Sequence, residues 1–127
     1  MSMEIIVENR ELYSYLKPIG KIDSQTSSQL SEEVEKNLTD TGYNVIDFAL
    51  VPYISSAGLR VIMVAAKRIS HGGGQFVLVG MNDFVREIFD ISGFNKILTI
   101  YDNIEQAEQY LASKPPSGGA RNNLDLG

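Results

Sequence analysis

The order of segments in this chain predicts an α/β or α+β domain, with a parallel sheet, right-handed crossovers and a leading hairpin. Short runs rich in Val, Ile and Phe alternate with longer segments whose apolar residues recur every three or four positions. The first two apolar runs stand outside that alternation, separated only by a polar pair. A length of 127 residues gives room for one domain, at roughly 100–200 residues each.

Ile5-Ile6-Val7 is the first run, and Asn9-Arg10 divides it from Leu12-Tyr13-Ser14-Tyr15-Leu16. Two such runs joined by a polar pair read as a hairpin, although Asn-Arg is not the best turn pair. The stretch SQTSSQLSEEVEKNL turns helical, with Leu30, Val34 and Leu38 forming one apolar stripe and Asp23 or Ser24 as its N-cap. Residues 44–50 read as a buried strand after the Thr41-Gly42 turn. A second helix is expected over residues 57–70, with Leu59, Ile62, Met63, Ala66 and Ile69 on one face. Lys67 and Arg68 suit the negative end of its dipole. His71-Gly72-Gly73-Gly74 ends that helix and leads into a buried strand over residues 75–80. Asn82 or Asp83 caps a helix carrying Phe84, Val85, Ile88 and Phe89. A short strand over residues 97–101 and a helix over residues 104–112, burying Ile104, Ala107 and Leu111, complete the body. From Lys114 the chain reads KPPSGGARNNLDLG, which lacks surface to bury and reads as a flexible tail.

Composition removes most enzyme chemistry. Eleven basic and 16 acidic residues leave a net charge of −5, which argues against nucleic acid as a partner, since phosphate binding leans on clustered Lys and Arg. With no cysteine and one histidine, there is no disulfide, no thiolate metal site and no multi-histidine site within one chain. No cofactor and no metal are expected. No apolar run approaches the ~20 residues needed to span a bilayer, and the first residues lack a secretory pattern. A cytoplasmic protein without direct membrane insertion is therefore expected, with association through a partner left open.

The informative stretch is Asp47-Phe48-Ala49-Leu50-Val51-Pro52-Tyr53-Ile54-Ser55-Ser56-Ala57-Gly58-Leu59-Arg60. A strand ends here and a short loop sets two serines at a helix N-terminus. One serine as the cap is the ordinary reading. It explains neither the second serine nor Gly58 inside the helix, where glycine costs about 1 kcal/mol against alanine. A glycine there admits a close approach by another backbone or protein. Serine catalysis fails on geometry, because Ile54 stands where a G-x-S-x-G elbow needs glycine. His71 also lies thirteen residues beyond Gly58, roughly 20 Å along the helix. The glycines at 72–74 follow a helix and open a strand, so they read as a C-cap rather than a phosphate loop. Asp23 reads as a cap and Asp47 as a polar position at a sheet edge.

The serine site can instead accept a phosphate. Phosphoserine adds about −1.5 to −2 charges, and a helix N-terminus stabilises them, so the fold should survive. A partner docked close to Ser56 and Gly58 would meet a new bulky anion, giving a switch without unfolding.

Gly20-Lys21-Ile22-Asp23 before the first helix, followed by Asp47 and by Tyr53-Ile54-Ser55-Ser56-Ala57-Gly58-Leu59-Arg60, resembles the STAS domain. More narrowly it resembles the stand-alone bacterial anti-sigma factor antagonists. The match runs on through Val77-Leu78-Val79-Gly80, residues 84–91, Gly93-Phe94 and residues 104–111, over most of residues 1–113 but not the tail at 114–127. The resemblance implies a single domain with a mixed four- to five-stranded sheet packed against about four helices. It implies a binding protein rather than an enzyme, one that engages an anti-sigma factor acting also as a serine kinase and so releases a sigma factor. Phosphorylation of the serine before the motif glycine switches such proteins off, and a serine phosphatase reverses it. That serine is Ser56 here, with Ser55 the weaker candidate. The implied partner surface comprises Asp23, Ser55, Ser56, Ala57, Gly58 and Arg60. Ser55 stands where the family often has Asp, and Ala57 removes an alternative hydroxyl. The competing reading is a STAS regulatory subunit of a membrane transport complex, in which the serine need not be phosphorylated.

Overall fold

The computed structural model describes residues 3–114. In chain order these residues form β1 (Glu4–Asn9), β2 (Ser14–Ile19), α1 (Ser27–Asn37), β3 (Tyr43–Asp47), α2 (Ser56–Gly72), β4 (Gln75–Val79), α3 (Asp83–Ser92), a 3-10 turn at Phe94–Lys96, β5 (Thr99–Tyr101) and α4 (Ile104–Ala112). The sheet is mixed and runs in the order β1-β2-β3-β4-β5. β1 pairs antiparallel with β2, and every later pair is parallel. The expected leading hairpin and helical crossovers are both present.

Period-two alternation sorts the strand residues into two cores. Leu16, Ile46 and Leu78 belong to the larger one with Leu30 and Val34 of α1, Ile62 and Ile69 of α2, and Val85 and Phe89 of α3. Tyr15, Val45, Val77 and Val79 belong to the other, closed by Ala107 and Leu111 of α4. A buried polar side chain ties the loop after α1 to the start of β4. Asn44, with no exposed surface, accepts from Thr39 N–H at 2.8 Å and donates to the carbonyls of Thr39 and Gln75 at 2.8 and 3.1 Å. Those bonds fix the loop between α1 and β3, where a buried polar group would otherwise be costly.

Several boundaries differ from the sequence reading. Leu12 and Tyr13 lie in the hairpin turn, closed by Arg10 N–H donating to Tyr13 O at 2.9 Å, so β2 begins only at Ser14. β3 stops at Asp47, because Phe48 turns out of the ladder after donating to Val79 O at 2.7 Å. Asp47 therefore ends the central strand rather than marking a sheet edge. Phe84, on the helix expected after Asn82, is 54% exposed and stacks on Tyr53. Ile97, expected in the last strand, precedes it and is 66% exposed. Lys114, expected to open the tail, is anchored: its N–H donates to Leu111 O at 3.0 Å and its carbonyl accepts from Tyr43 Oη at 2.6 Å. The rest of the expected tail, residues 115–127, lies outside the described residues.

Candidate functional site

Two loops at one end of the sheet are stitched together by backbone bonds. Gly20 N–H donates to Leu50 O at 2.9 Å, Ile22 N–H to Tyr53 O at 2.9 Å, and Ser55 N–H to Ile22 O at 2.8 Å. Ile22 and Ile54 form an isolated parallel bridge, and both side chains are buried. The register sets Asp23, which follows Ile22, beside Ser55, which follows Ile54. Residues far apart in sequence thus meet at the start of α2, as the sequence reading expected for Asp23 and the serines.

The two serines divide the work. Ser55 is the N-cap of α2 in extended conformation, and its Oγ accepts from Gly58 N–H at 3.3 Å. It is half-buried. Ser56 is the first residue of the helix, is exposed, and its hydroxyl has no hydrogen-bond partner among the described residues. Ala57 is half-buried and Arg60 exposed, one turn beyond Ser56. Arg60 makes no ion pair among the described residues, whereas Arg10, Arg68 and Arg86 are held by Glu8, Asp40 and Asp90.

Gly58 corrects the sequence reading. It was placed on a partner surface, but it is buried, and its close approach is to the chain's own seam. A Cβ there would lie 2.6 Å from Ile22 Cγ2 and 2.7 Å from Ile54 Cγ1. The glycine lets α2 pack directly on the stitched loops and so fixes where Ser55 and Ser56 stand.

Asp23 also departs from expectation. The N-cap position of α1 is Thr26, without a side-chain cap bond, and the helix begins at Ser27 rather than at residue 24 or 25. Asp23 acts one turn earlier: its Oδ1 accepts from the N–H groups of Gln25 and Thr26, each at 2.9 Å, and from Thr26 Oγ1 at 3.2 Å. Its carbonyl accepts from Ser27 N–H at 2.9 Å, carrying the turn into the helix. The bond from Thr26 N–H, then that from Gln25 N–H, holds the Asp23 carboxyl below its usual range, with Lys21 adding to the effect. Asp47 stays structural: its Oδ2 accepts from Tyr15 Oη at 2.7 Å and its Oδ1 from Ala49 N–H at 2.9 Å. Burial and that bond push the Tyr15 phenol up.

One feature carried no clear sequence signal. A groove of about 450 Å³ runs along the outer side of α2 from Ser56, over Leu59, Met63 and Val64, to Phe94. Because α2 is apolar on nearly every side, periodicity placed Leu59, Met63 and Ala66 on one face with Ile62 and Ile69. The fully buried line is instead Gly58, Ile62, Ala65 and Ile69, and Leu59, Met63 and Ala66 are only partly buried beside it. Among the described residues no group of three or more His, Cys, Asp or Glu is placed to hold a metal. No helix among them is long and apolar enough to cross a membrane.

The family model of the STAS domain matches residues 4–107. BtrV of Bordetella bronchiseptica, whose name places it among anti-sigma factor antagonists, is 38% identical over 90 residues, 69% of this chain and 77% of BtrV. An anti-sigma F factor antagonist of Paenibacillus polymyxa is 28% identical over 107 residues, 81% of this chain and 90% of that protein. The crystal structure of an anti-sigma factor antagonist from Mycobacterium paratuberculosis superposes with a TM-score of 0.80 at 21% identity, over 87% of this chain and 95% of that one. The stitched loops, the capped serine pair and the sequence matches together make this chain a member of the STAS domain family, among the relatives of the anti-sigma factor antagonists.

Proposed function

We propose that this protein is an anti-sigma factor antagonist: it binds an anti-sigma factor that is also a serine kinase, frees the sigma factor, and is switched off by phosphorylation of Ser56. The observation that carries the reading is the division between the two serines. Ser55 spends its hydroxyl on Gly58 N–H, while Ser56, the next residue, is exposed and unpartnered. A kinase can reach Ser56 without disturbing a cap. A phosphate there adds about −1.5 to −2 charges beside the positive end of the α2 dipole, with Arg60 four residues along on the same face. The fold tolerates the modification, and a partner seated on that surface does not. Asp23, held by the seam beside Ser55, supplies the fixed acidic part of the surface. A serine phosphatase would restore the binding form. The names of the relatives support the same partner class.

The test is a pull-down from native lysate with tagged wild type, Ser56→Asp and Ser56→Ala, followed by mapping of phosphorylation by the captured kinase. A kinase-like anti-sigma factor is expected with wild type and Ser56→Asp is expected to lose it. Ser56→Ala should bind and remain unmodified. Membrane-transport subunits retained equally by all three would overturn the proposal.

A further inference from the structure

α2 is electrically unlike the rest of this acidic chain. α1 carries Glu32, Glu33 and Glu35, α3 carries Asp83, Glu87 and Asp90, and α4 carries Glu105 and Glu108. α2 has no acidic residue over its 17 positions, and it bears Arg60, Lys67, Arg68 and His71. Arg68 is taken by Asp40 at 2.7 Å. Arg60 and Lys67 make no ion pair among the described residues, and both stand on the groove that begins at Ser56. They lie seven residues apart, about 10 Å or two helical turns. Between them the surface is apolar: Met63 lines the groove, Val64 is 58% exposed, and Phe94 forms the opposite wall. The groove continues past Lys67 to Ser70, His71 and the exposed Ile97.

We infer that this groove seats an amphipathic helix of the protein partner, its apolar stripe on Met63, Val64 and Phe94 and its flanking carboxylates on Arg60 and Lys67. The inference rests on the proposed function and names the chemistry that the partner must present. Two cations two turns apart match carboxylates seven residues apart on a facing helix, a spacing that keeps both on one side. The charge contrast carries the choice of occupant. An acidic helix is attracted to this strip and repelled by most of the remaining surface, which gives register as well as affinity. A nucleic acid would also find the cations, yet it gains nothing from an apolar floor and is opposed by a net charge of −5. Regulation follows from position. Ser56 lies at the entrance of the groove, so a phosphate there neutralises Arg60 and repels the incoming carboxylates.

The experiment uses the full chain, labelled with nitrogen-15, and two synthetic peptides of about 18 residues that share one leucine stripe and differ in Glu or Lys flanks. The Glu-flanked peptide is expected to shift the amides of Arg60, Met63, Lys67 and Phe94 and to weaken with added salt. The Arg60→Glu, Lys67→Glu double variant, checked for an unchanged thermal midpoint, should lose about tenfold or more in affinity for it. That variant should gain affinity for the Lys-flanked peptide, a charge-swap rescue that a structural role would not produce. Equal binding of both peptides, shifts confined to other helices, or stronger shifts with a DNA duplex would overturn the inference. Ser56→Asp should also weaken the Glu-flanked peptide. If it does not, the groove stands and the phosphorylation switch falls, so the two failures are distinguishable.

Discussion

Gly58→Ala tests whether the glycine of the serine motif serves packing or recognition. The added Cβ would sit 2.6 Å from Ile22 Cγ2 and 2.7 Å from Ile54 Cγ1, against roughly 3.5–4.0 Å for a relaxed carbon contact. Neither neighbour has room to yield, since Ile22 is 0% and Ile54 1% exposed. The start of α2 must therefore move outward by about an ångström, or the two isoleucines must leave their rotamers. Overpacking of this kind costs about 1–3 kcal/mol, and alanine returns at most about 1 kcal/mol of helix propensity. The net expectation is a loss of about 1–2 kcal/mol, which for a domain of this size lowers the thermal midpoint by about 4–8 °C. Far-UV circular dichroism melting measures it directly. Pairing Gly58→Ala with Ile54→Ala should cost less than the sum of the single losses, because the second change removes the clashing atoms. A midpoint equal to or above wild type for Gly58→Ala would refute the packing argument and return Gly58 to the partner surface.

Asn44→Ala should cost about 2–4 kcal/mol in urea unfolding, because it strips partners from Thr39 N–H and from buried carbonyls at once. A loss under half of that would mean that water replaces the amide. For Asp23 the folded carboxyl titrates below its unfolded value, so its stabilisation is present above the unfolded pKa and is lost as pH falls through the folded one. Asp23→Asn should flatten the acid limb of the melting curve below about pH 4, and an unchanged limb would show that the turn at residues 23–26 does not depend on the charge. Ser56→Asp should melt at or slightly above the wild-type temperature, since a carboxylate in the first turn of a helix contributes about 0.3–1 kcal/mol. A clear drop in its melting temperature would mean that Ser56 has a structural role hidden in the static hydrogen-bond pattern.

The sequence revealed what periodicity and capping chemistry control. Alternating runs located all five strands, and the stripe of Leu30, Val34 and Leu38 identified the inner face of α1. Gly73 adopts the left-handed C-cap expected of the glycine run after His71. The site was legible as a list of residues and less so as geometry. The seam between residues 20–23 and 50–55 is made of backbone bonds, which leave no side-chain pattern to read. The rotation of α2 was illegible for a related reason. With Leu59, Val61, Ile62, Met63, Val64, Ala65 and Ala66 in sequence, apolar residues surround the helix, and only the small volumes of Gly58 and Ala65 select the face that packs closest. Nothing in the sequence pattern separates the exposed Phe84, which stacks on Tyr53, from the buried Phe89 of the same helix.

On the proposed function, the arrangement would let a modification of Ser56 act on recognition without acting on the fold. Four consecutive residues carry separate duties: Ser55 closes the helix end, Ser56 faces outward, Ala57 is half-buried, and Gly58 docks the helix on the seam. Had the cap and the modified hydroxyl been the same atom, phosphorylation would have removed a bond from Gly58 N–H and loosened α2 where Gly58 packs on Ile22 and Ile54. Placing them on adjacent residues decouples the two. The seam bonds do not involve Ser56, so in the proposed switch the difference between binding and non-binding forms would reduce to charge and bulk at that residue. A switch of the proposed kind would need no refolding step between the two forms.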